Sequence, residues 1–275
     1  MTEKNILNND LVQKLLDISI KAGQAILDIY NDLEIEVIEK KDSSPLTKAD
    51  LASHNIIVSE LSNLTPDIPI LSEESIGIPF NTRKEWSQYW LVDPLDGTKE
   101  FIKRNGEFTV NIALIRNNTP IFGVIYVPVS DEIYWGSKEG SYYKKTDGTI
   151  IKIQISNESS ETMKIVASKS HQSEMLSSIL ANIKEYELIN KGSSLKFCMV
   201  AEGSADIYLR LGLTSEWDTA AGEAIVHYAG GHVIATSGEL IKYNAEKSIL
   251  NPNFIVSGKK GLTDLFLSLI QKNES

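Results

Sequence analysis

One cysteine, Cys198, stands among 275 residues, so no internal disulfide can form. That scarcity of thiols points to a reducing, cytoplasmic setting. The apolar company of Leu195, Phe197, Met199 and Val200 makes Cys198 itself read as a core residue. Histidine is nearly as scarce: the four residues are scattered, with no H-x-x-x-H or comparable spacing, which argues against a zinc site. Long apolar runs are missing too. No stretch approaches about 18 uninterrupted apolar residues, so no membrane span is expected. The opening MTEKNILNND has no apolar core of the kind a signal peptide needs. Basic charge is also short: 27 Lys+Arg against 37 Asp+Glu give a net charge of −10. No surplus remains to displace counterions from a nucleic-acid backbone, so nucleic acid is excluded as a partner. A small phosphorylated molecule is not excluded, because bound cations can reverse a local field.

The remaining composition, 42% apolar and 23% charged, is that of an ordinary globular chain. Apolar residues at Leu11, Leu15, Ile18, Ala22, Ile26 and Ile29 keep helical spacing and predict an amphipathic helix over 11–30. A second helix is predicted over 49–61, with Thr47 as its N-cap and Asp50 in the first turn. From Trp90 the pattern turns to strands: 90–92, 108–115, 121–127 and 132–135, the second and third joined as an antiparallel hairpin through Arg116 to Pro120. Further strands are expected at 150–155, 164–167, 205–211, 232–235 and 254–257. Helices are expected at 193–202 and 219–229, with another closing the chain. Hairpin-linked strands mixed with helices favour an α+β layered fold over a doubly wound parallel sheet. No repeat, low-complexity tract or linker is present. The chain reads as a single domain over 1–275, with a softer division between Val129 and Ile165. The stretches 75–86 and 144–152 yield no reading.

The most informative segment is Trp90-Leu91-Val92-Asp93-Pro94-Leu95-Asp96-Gly97-Thr98. Two aspartates three apart end an apolar strand, Pro94 fixes one dihedral, and Gly97 permits a tight turn. Like charges this close need a cation between them. Two divalent ions would supply it, with Asp93 touching both, Asp96 one, and the Leu95 carbonyl adding an oxygen. An isolated D-x-x-D, however, more often merely caps a turn. Glu73 and Glu74 follow an apolar run, Asp218 opens a small-residue helix, and Asp50 lies in its helix's first turn. Singly, each has a plain explanation as solvated loop, N-cap or macrodipole partner. Together they make a hard-oxygen set without His or Cys, which indicates Mg²⁺.

As a set, Glu73-Glu74, Asp93-Pro94-Leu95-Asp96-Gly97-Thr98 and Trp217-Asp218-Thr219-Ala220-Ala221-Gly222 resemble the signature of the inositol-monophosphatase-like phosphatases, over nearly the whole chain. Ser44 to Asp50, Lys99 to Leu114 and Gly192 to Cys198 look most like the bacterial 3'(2'),5'-bisphosphate nucleotidases of the CysQ type. The resemblance implies a layered α/β/α/β/α sandwich with an N-terminal half over about 1–160 and a C-terminal half over about 161–275. It implies two or three Mg²⁺ ions on Glu73, Asp93, Asp96, Asp218 and the Leu95 carbonyl, with Asp50 and Thr98 activating the attacking water. Gly97, Thr98, Asp218, Ser193, Lys196, Arg210 and His171 would meet the substrate. Arg210 also interrupts the apolar run Ile207 to Leu211, and an inward guanidinium needs an anion. The implied activity is hydrolysis of adenosine 3',5'-bisphosphate to AMP and phosphate, in the recycling of sulfur-assimilation metabolites, with sensitivity to lithium. The alternatives are a sister phosphatase acting on inositol monophosphate or fructose 1,6-bisphosphate, and a silent metal- and nucleotide-binding regulatory protein. The choice between monomer and homodimer, and any contact with the cytoplasmic face of the inner membrane, stay open.

Overall fold

The computed structural model describes residues 7–32, 37–39, 45–75, 77–155, 162–168 and 174–274. The chain begins with α1 (Asn9–Tyr30), the short pair β1 (Val37–Glu39) and β2 (Pro45–Thr47), and α2 (Lys48–Leu64). Then come β3 (Ile70–Ser72), α3 (Phe80–Arg83), β4 (Gln88–Asp96), α4 (Thr98–Ile102), β5 (Thr109–Arg116), β6 (Thr119–Val127) and β7 (Glu132–Ser137). β8 (Gly140–Lys144), β9 (Ile150–Ile153), β10 (Met163–Ser168), α5 (Glu174–Leu180), β11 (Tyr186–Lys191) and α6 (Leu195–Ala201) follow. The chain ends with β12 (Ile207–Arg210), α7 (Glu216–Tyr228), β13 (His232–Ala235), β14 (Phe254–Ser257) and α8 (Lys260–Glu274).

β3 to β9 lie in chain order in a seven-stranded sheet, and β11-β10-β12-β14-β13 form a five-stranded one. In the larger sheet β3 runs parallel to β4, and every later neighbour is antiparallel. Its central strands are apolar on both faces, so they read as near-continuous hydrophobic runs. Period-two alternation sends Trp90, Val92, Val110, Ile112, Leu114, Phe122 and Val124 toward α1 and α2. The intervening Leu91, Ala113, Ile115 and Ile125 pack with α6, α7 and one face of the smaller sheet. Helices α5 and α8 cover that sheet's other face with Leu176, Ile179, Phe266 and Ile270. Five layers result: helices, sheet, helices, sheet, helices. This is the α+β layering expected from the sequence.

The N-cap of α2 is Thr47, and the β5–β6 hairpin turns through Asn117 and Asn118, with φ of 49° and 63°. Two consecutive left-handed residues give the hairpin turn whose twist matches its strands. Some boundaries differ from those expected. Helix α6 starts at Leu195 rather than Ser193, because Ser193 is left-handed at φ 44°. Helix α7 starts at Glu216, three residues early, since Ser215 rather than Asp218 is the cap. Strand β9 stops at Ile153, and Ile155 bonds instead to the Ala229 carbonyl behind α7. The stretches without a reading contain α3 and the turn between β8 and β9, which is closed by Gly148 N–H donating to the Lys145 carbonyl. The seven-residue α5 is too short for a helical period to stand out, and β11 is an edge strand with exposed residues on both faces.

Helix α7 lies on the larger sheet through two glycines. A Cβ on Gly123 of β6 would stand 2.3 Å from the Ala221 carbonyl oxygen, and one on Gly136 of β7 would stand 2.7 Å from Ile225 Cα. Both obstacles are backbone and cannot rotate away. Gly123→Ala should therefore destabilise the protein by about 2–3 kcal/mol through overpacking. Gly148→Ala, which meets open space in the β8–β9 turn but keeps a φ of 83°, should cost only about 1 kcal/mol. Urea unfolding of the two variants beside the parent tests the ranking.

Candidate active site

Strand β4 ends in a bulge. Its pairing with β5 holds register from Gln88 to Asp93 and shifts before Asp96. The shift turns Asp93 and Asp96 to the same cavity instead of to opposite faces. Ser53 Oγ donates to the Pro94 carbonyl at 2.6 Å, and the Leu95 amide donates to Asp93 Oδ1 at 3.1 Å, fixing the turn from inside. Gly97 then takes φ 92° and begins α4. A side chain there would press on the Glu107 carbonyl at 3.1 Å and on Ser193 Cβ at 3.2 Å.

Asp218 arrives from the first turn of α7, where the Ser215 amide donates to its Oδ2 at 2.9 Å. One carboxylate oxygen each from Asp93, Asp96 and Asp218 lie within 4.8 Å of one another. Glu73, just past β3, borders the same cavity, whereas the charge of Glu74 acts on His54. Burial pushes the Asp93 carboxyl well above the usual carboxylate range, and the charges of Glu73, Asp96 and Asp218 push it further. Asp218 is raised to about 8 by burial, then by Asp96 and Glu73. Asp96 is also raised by burial, against the opposing pull of Lys196 and of hydrogen bonds from Ser194 and Asn111. Such a group of acids can all be ionised only around positive charge. All the donors are hard oxygens, so the residues fit Mg²⁺.

Asp50 Oδ2 accepts from the Thr47 amide at 2.8 Å and the Thr47 hydroxyl at 2.6 Å. That leaves Oδ1 toward the Thr98 hydroxyl, 3.2 Å away, which also has the Leu95 carbonyl within 3.4 Å. The predicted pair Asp50 and Thr98 is thus joined directly at the rim of the carboxylate cluster. Gly97, Ser193, Lys196 and Arg210 line the same cavity of about 260 Å³. Lys196, 5% exposed, donates to the Ser193 carbonyl and lies over the Tyr208 ring. Burial lowers its pKa to about 8 despite the neighbouring Asp96. Arg210 Nη2 donates to the Leu213 carbonyl at 2.5 Å. Arg210 Nε and Ser193 Oγ are buried without a partner among the described residues. Orphaned donors in a cavity wall are costly unless a ligand meets them. His171 lies outside the described residues.

Ser194, without a role in the sequence reading, lines the cavity, and further such residues lie behind it or elsewhere in the fold. Ser194 sits between Asp96 and Asp218, and Asn111 stands behind it. Glu107 accepts from the Gly192 amide at 2.9 Å and pairs with Lys191. Glu216 accepts from the Asn244 amide, and Asn244 meets the buried Arg83 guanidinium. Asn111 could have been found by the signal that singled out Arg210, a polar residue inside an apolar strand. Arg83 lies in a stretch with no periodicity and gave no such signal.

With this geometry in view, residues 8–275 match the model of the inositol monophosphatase family, and the chain belongs to that family. The 3'(2'),5'-bisphosphate nucleotidase CysQ of Salmonella typhimurium strain LT2 is 46% identical over 248 residues, covering 90% of this chain and 99% of that protein. CysQ of Haemophilus influenzae strain Rd is 35% identical over 254 residues, covering 92% and 94%. Among solved structures, CysQ from Bacteroides thetaiotaomicron superposes with a TM-score of 0.82 at 41% identity, covering 93% of this chain and all of that one. A Thermotoga maritima IMPase shares the fold at 23% identity and TM-score 0.79, covering 96% and 97%. No helix among the described residues is long and apolar enough to cross a membrane.

Further along α7, beyond Glu216 and Asp218, stands another acid, Glu223. The Tyr243 hydroxyl donates to Glu223 Oε2 at 2.6 Å, and burial raises Glu223 from 4.5 to about 8. A carboxyl raised in the fold favours its neutral form there. Its contribution to stability is therefore fully present below pH 4.5 and lost as pH climbs through about 8. Melting temperatures measured from pH 5 to 8.5 should fall less steeply for Glu223→Gln than for the parent.

Proposed function

We propose that this chain is a Mg²⁺-dependent 3'(2'),5'-bisphosphate nucleotidase that releases the 3'-phosphate of adenosine 3',5'-bisphosphate, giving AMP and phosphate. The observation that carries the reading is the shared cavity. A carboxylate cluster and the Thr98–Asp50 pair face Lys196 and the orphaned donors of Arg210 and Ser193. A substrate with two separated phosphates answers both walls, one at the carboxylate side and one at the cationic side.

Glu73, Asp93, Asp96, Asp218 and the Leu95 carbonyl would hold two Mg²⁺ ions. When bound, these supply charge for the phosphoryl and leaving oxygens and acidify a nearby water. The Thr98 hydroxyl, already donating to Asp50, accepts a proton from the attacking water as its own passes to Asp50 Oδ1. Thr47 keeps Asp50 turned for this by occupying Oδ2. Water attacks phosphorus in line, the bond to the 3'-oxygen breaks, that oxygen keeps the bonding pair and takes a proton from solvent to become the hydroxyl of AMP, and no phosphoenzyme forms. Arg210 and Lys196, with Ser193, grip the second phosphate, the guanidinium offering its free Nε–H. The chain works as a single unit, because Glu73, Asp93 and Asp96 come from its N-terminal half and Lys196, Arg210 and Asp218 from its C-terminal half. A reducing cytoplasm suits its one buried thiol.

With Mg²⁺, phosphate release from adenosine 3',5'-bisphosphate should exceed that from inositol 1-phosphate and fructose 1,6-bisphosphate by about 10² or more in kcat/KM. A reversed ranking would make the chain a sugar-phosphate enzyme, and no turnover of any of the three would make it a silent binding protein. Asp93→Asn should lower kcat by about 10³ while the protein stays folded by circular dichroism. Lithium at millimolar concentration should inhibit, as a small cation that can take a magnesium position without supplying its charge. Unchanged initial rates in a lithium titration would remove that detail alone.

A further inference from the structure

A file of buried polar groups runs from the interior of β5 to Asp96. Thr109 Oγ1 donates to Asn111 Oδ1 at 2.9 Å, which fixes the amide so that its Nδ2 donates to Ser194 Oγ at 2.8 Å. Ser194 Oγ in turn lies 2.7 Å from Asp96 Oδ2. Its other acceptor, the Asp218 carbonyl at 2.8 Å, is neutral, so the single hydroxyl proton goes to the carboxylate. Every donor points the same way, and each bond polarises the next. Thr109, Asn111 and Ser194 are exposed by only 0%, 1% and 2%. Stability gives no reason for this arrangement. Polar groups inside a strand cost free energy unless bonded, and replacing bonded partners by apolar ones of the same shape is close to neutral. What the file does achieve is geometric. It occupies one oxygen of Asp96, as the Ser215 amide does for Asp218 and the Leu95 amide for Asp93.

We infer that Ser194, held by Asn111 and Thr109, is a positioning residue of the carboxylate cluster: its hydroxyl engages Asp96 Oδ2 and leaves the other oxygen turned toward a cation. The inference rests on the reading of Asp93, Asp96 and Asp218 as the cation site. It also explains why Asp96, reached from one side by Lys196, does not turn its carboxylate to that ammonium. Asp96 Oδ2 instead accepts from Ser194 at the cap of α6 and, at 3.5 Å, from Asn111 Nδ2 of β5, and Lys196 donates to the Ser193 and Lys191 carbonyls.

The test is Mg²⁺ binding by the full chain, measured by titration calorimetry and by the rise in melting temperature with Mg²⁺. It compares the parent, Ser194→Ala and Thr109→Val, the last removing the donor at the far end while keeping its shape. Ser194→Ala should raise the Mg²⁺ midpoint by about 10–100-fold, the size of effect seen when a ligand loses its outer partner. Thr109→Val, two bonds away, should raise it by roughly threefold. Metal-free melting temperatures should change by only a few degrees in both, and KM at saturating Mg²⁺ should stay at the parent value. A parent that binds Mg²⁺ beside variants with the same midpoint overturns the inference, whatever happens to their melting temperatures. If Ser194→Ala does not fold, an unshifted midpoint in Thr109→Val overturns it by itself. A parent that binds no Mg²⁺ overturns the cation-site reading and this inference with it.

Discussion

Negative charge crowded into a poorly solvated pocket is the constraint around which this molecule is arranged. Three carboxylates with oxygens within 4.8 Å of one another, and a fourth beside them, repel strongly where water is scarce. No flexible loop would keep them there. Each is instead delivered by the end of a rigid element: Glu73 by β3, Asp93 and Asp96 by the bulged end of β4, and Asp218 by the first turn of α7. Each aspartate also has one oxygen committed to a local donor, so its remaining freedom is small.

The five layers serve this delivery. Helix α7 lies in the middle one, its Ala220 and Ala221 against the larger sheet and Gly222 against Phe197 of α6. Small residues on the helix and glycines on the strands bring backbone to backbone, so the first turn of α7 cannot drift relative to β4. The smaller sheet brings Arg210, and α6 brings Lys196, to the opposite wall. The acid wall therefore draws on the larger sheet and α7, the cationic wall on the smaller sheet and α6, and the two meet at the shared helical layer.

Much of this was legible in the residues. The alternation from Trp90 to Val127, the helical spacing from Leu11 to Ile29 and the cap at Thr47 are local signals, and local physics decides them. The grouping of Asp50, Glu73, Asp93, Asp96, Thr98 and Asp218 was also readable, though only as a set, since each alone is an ordinary turn or cap residue. Less legible were features that long-range packing decides. Ser194 looks like any serine in the first turn of the expected helix until Asn111 is found behind it, 83 positions earlier in the chain. Arg83 lies in a segment of no pattern, yet it is buried because the loop at 244–247 folds over it. The left-handed φ of Ser193, which delays α6, belongs to a residue type that rarely adopts it, so the sequence held no cue.

Gly97 has a consequence of its own. Beside the bond from Ser194 to Asp96, the turn that carries the acids here closes on the loop that carries the cationic wall, and a Cβ on Gly97 would stand 3.2 Å from Ser193 Cβ. The close approach at this point is thus made by the main chain of Gly97 and Glu107 together with Ser193 Cβ. A side chain at 97 would have to hold a φ of 92° and press on the Glu107 carbonyl and Ser193 Cβ, at 3.1 and 3.2 Å from its Cβ. Retuning the enzyme toward larger or smaller substrates therefore has to proceed through residues around the rim, with the gap between the walls held as a fixed gauge.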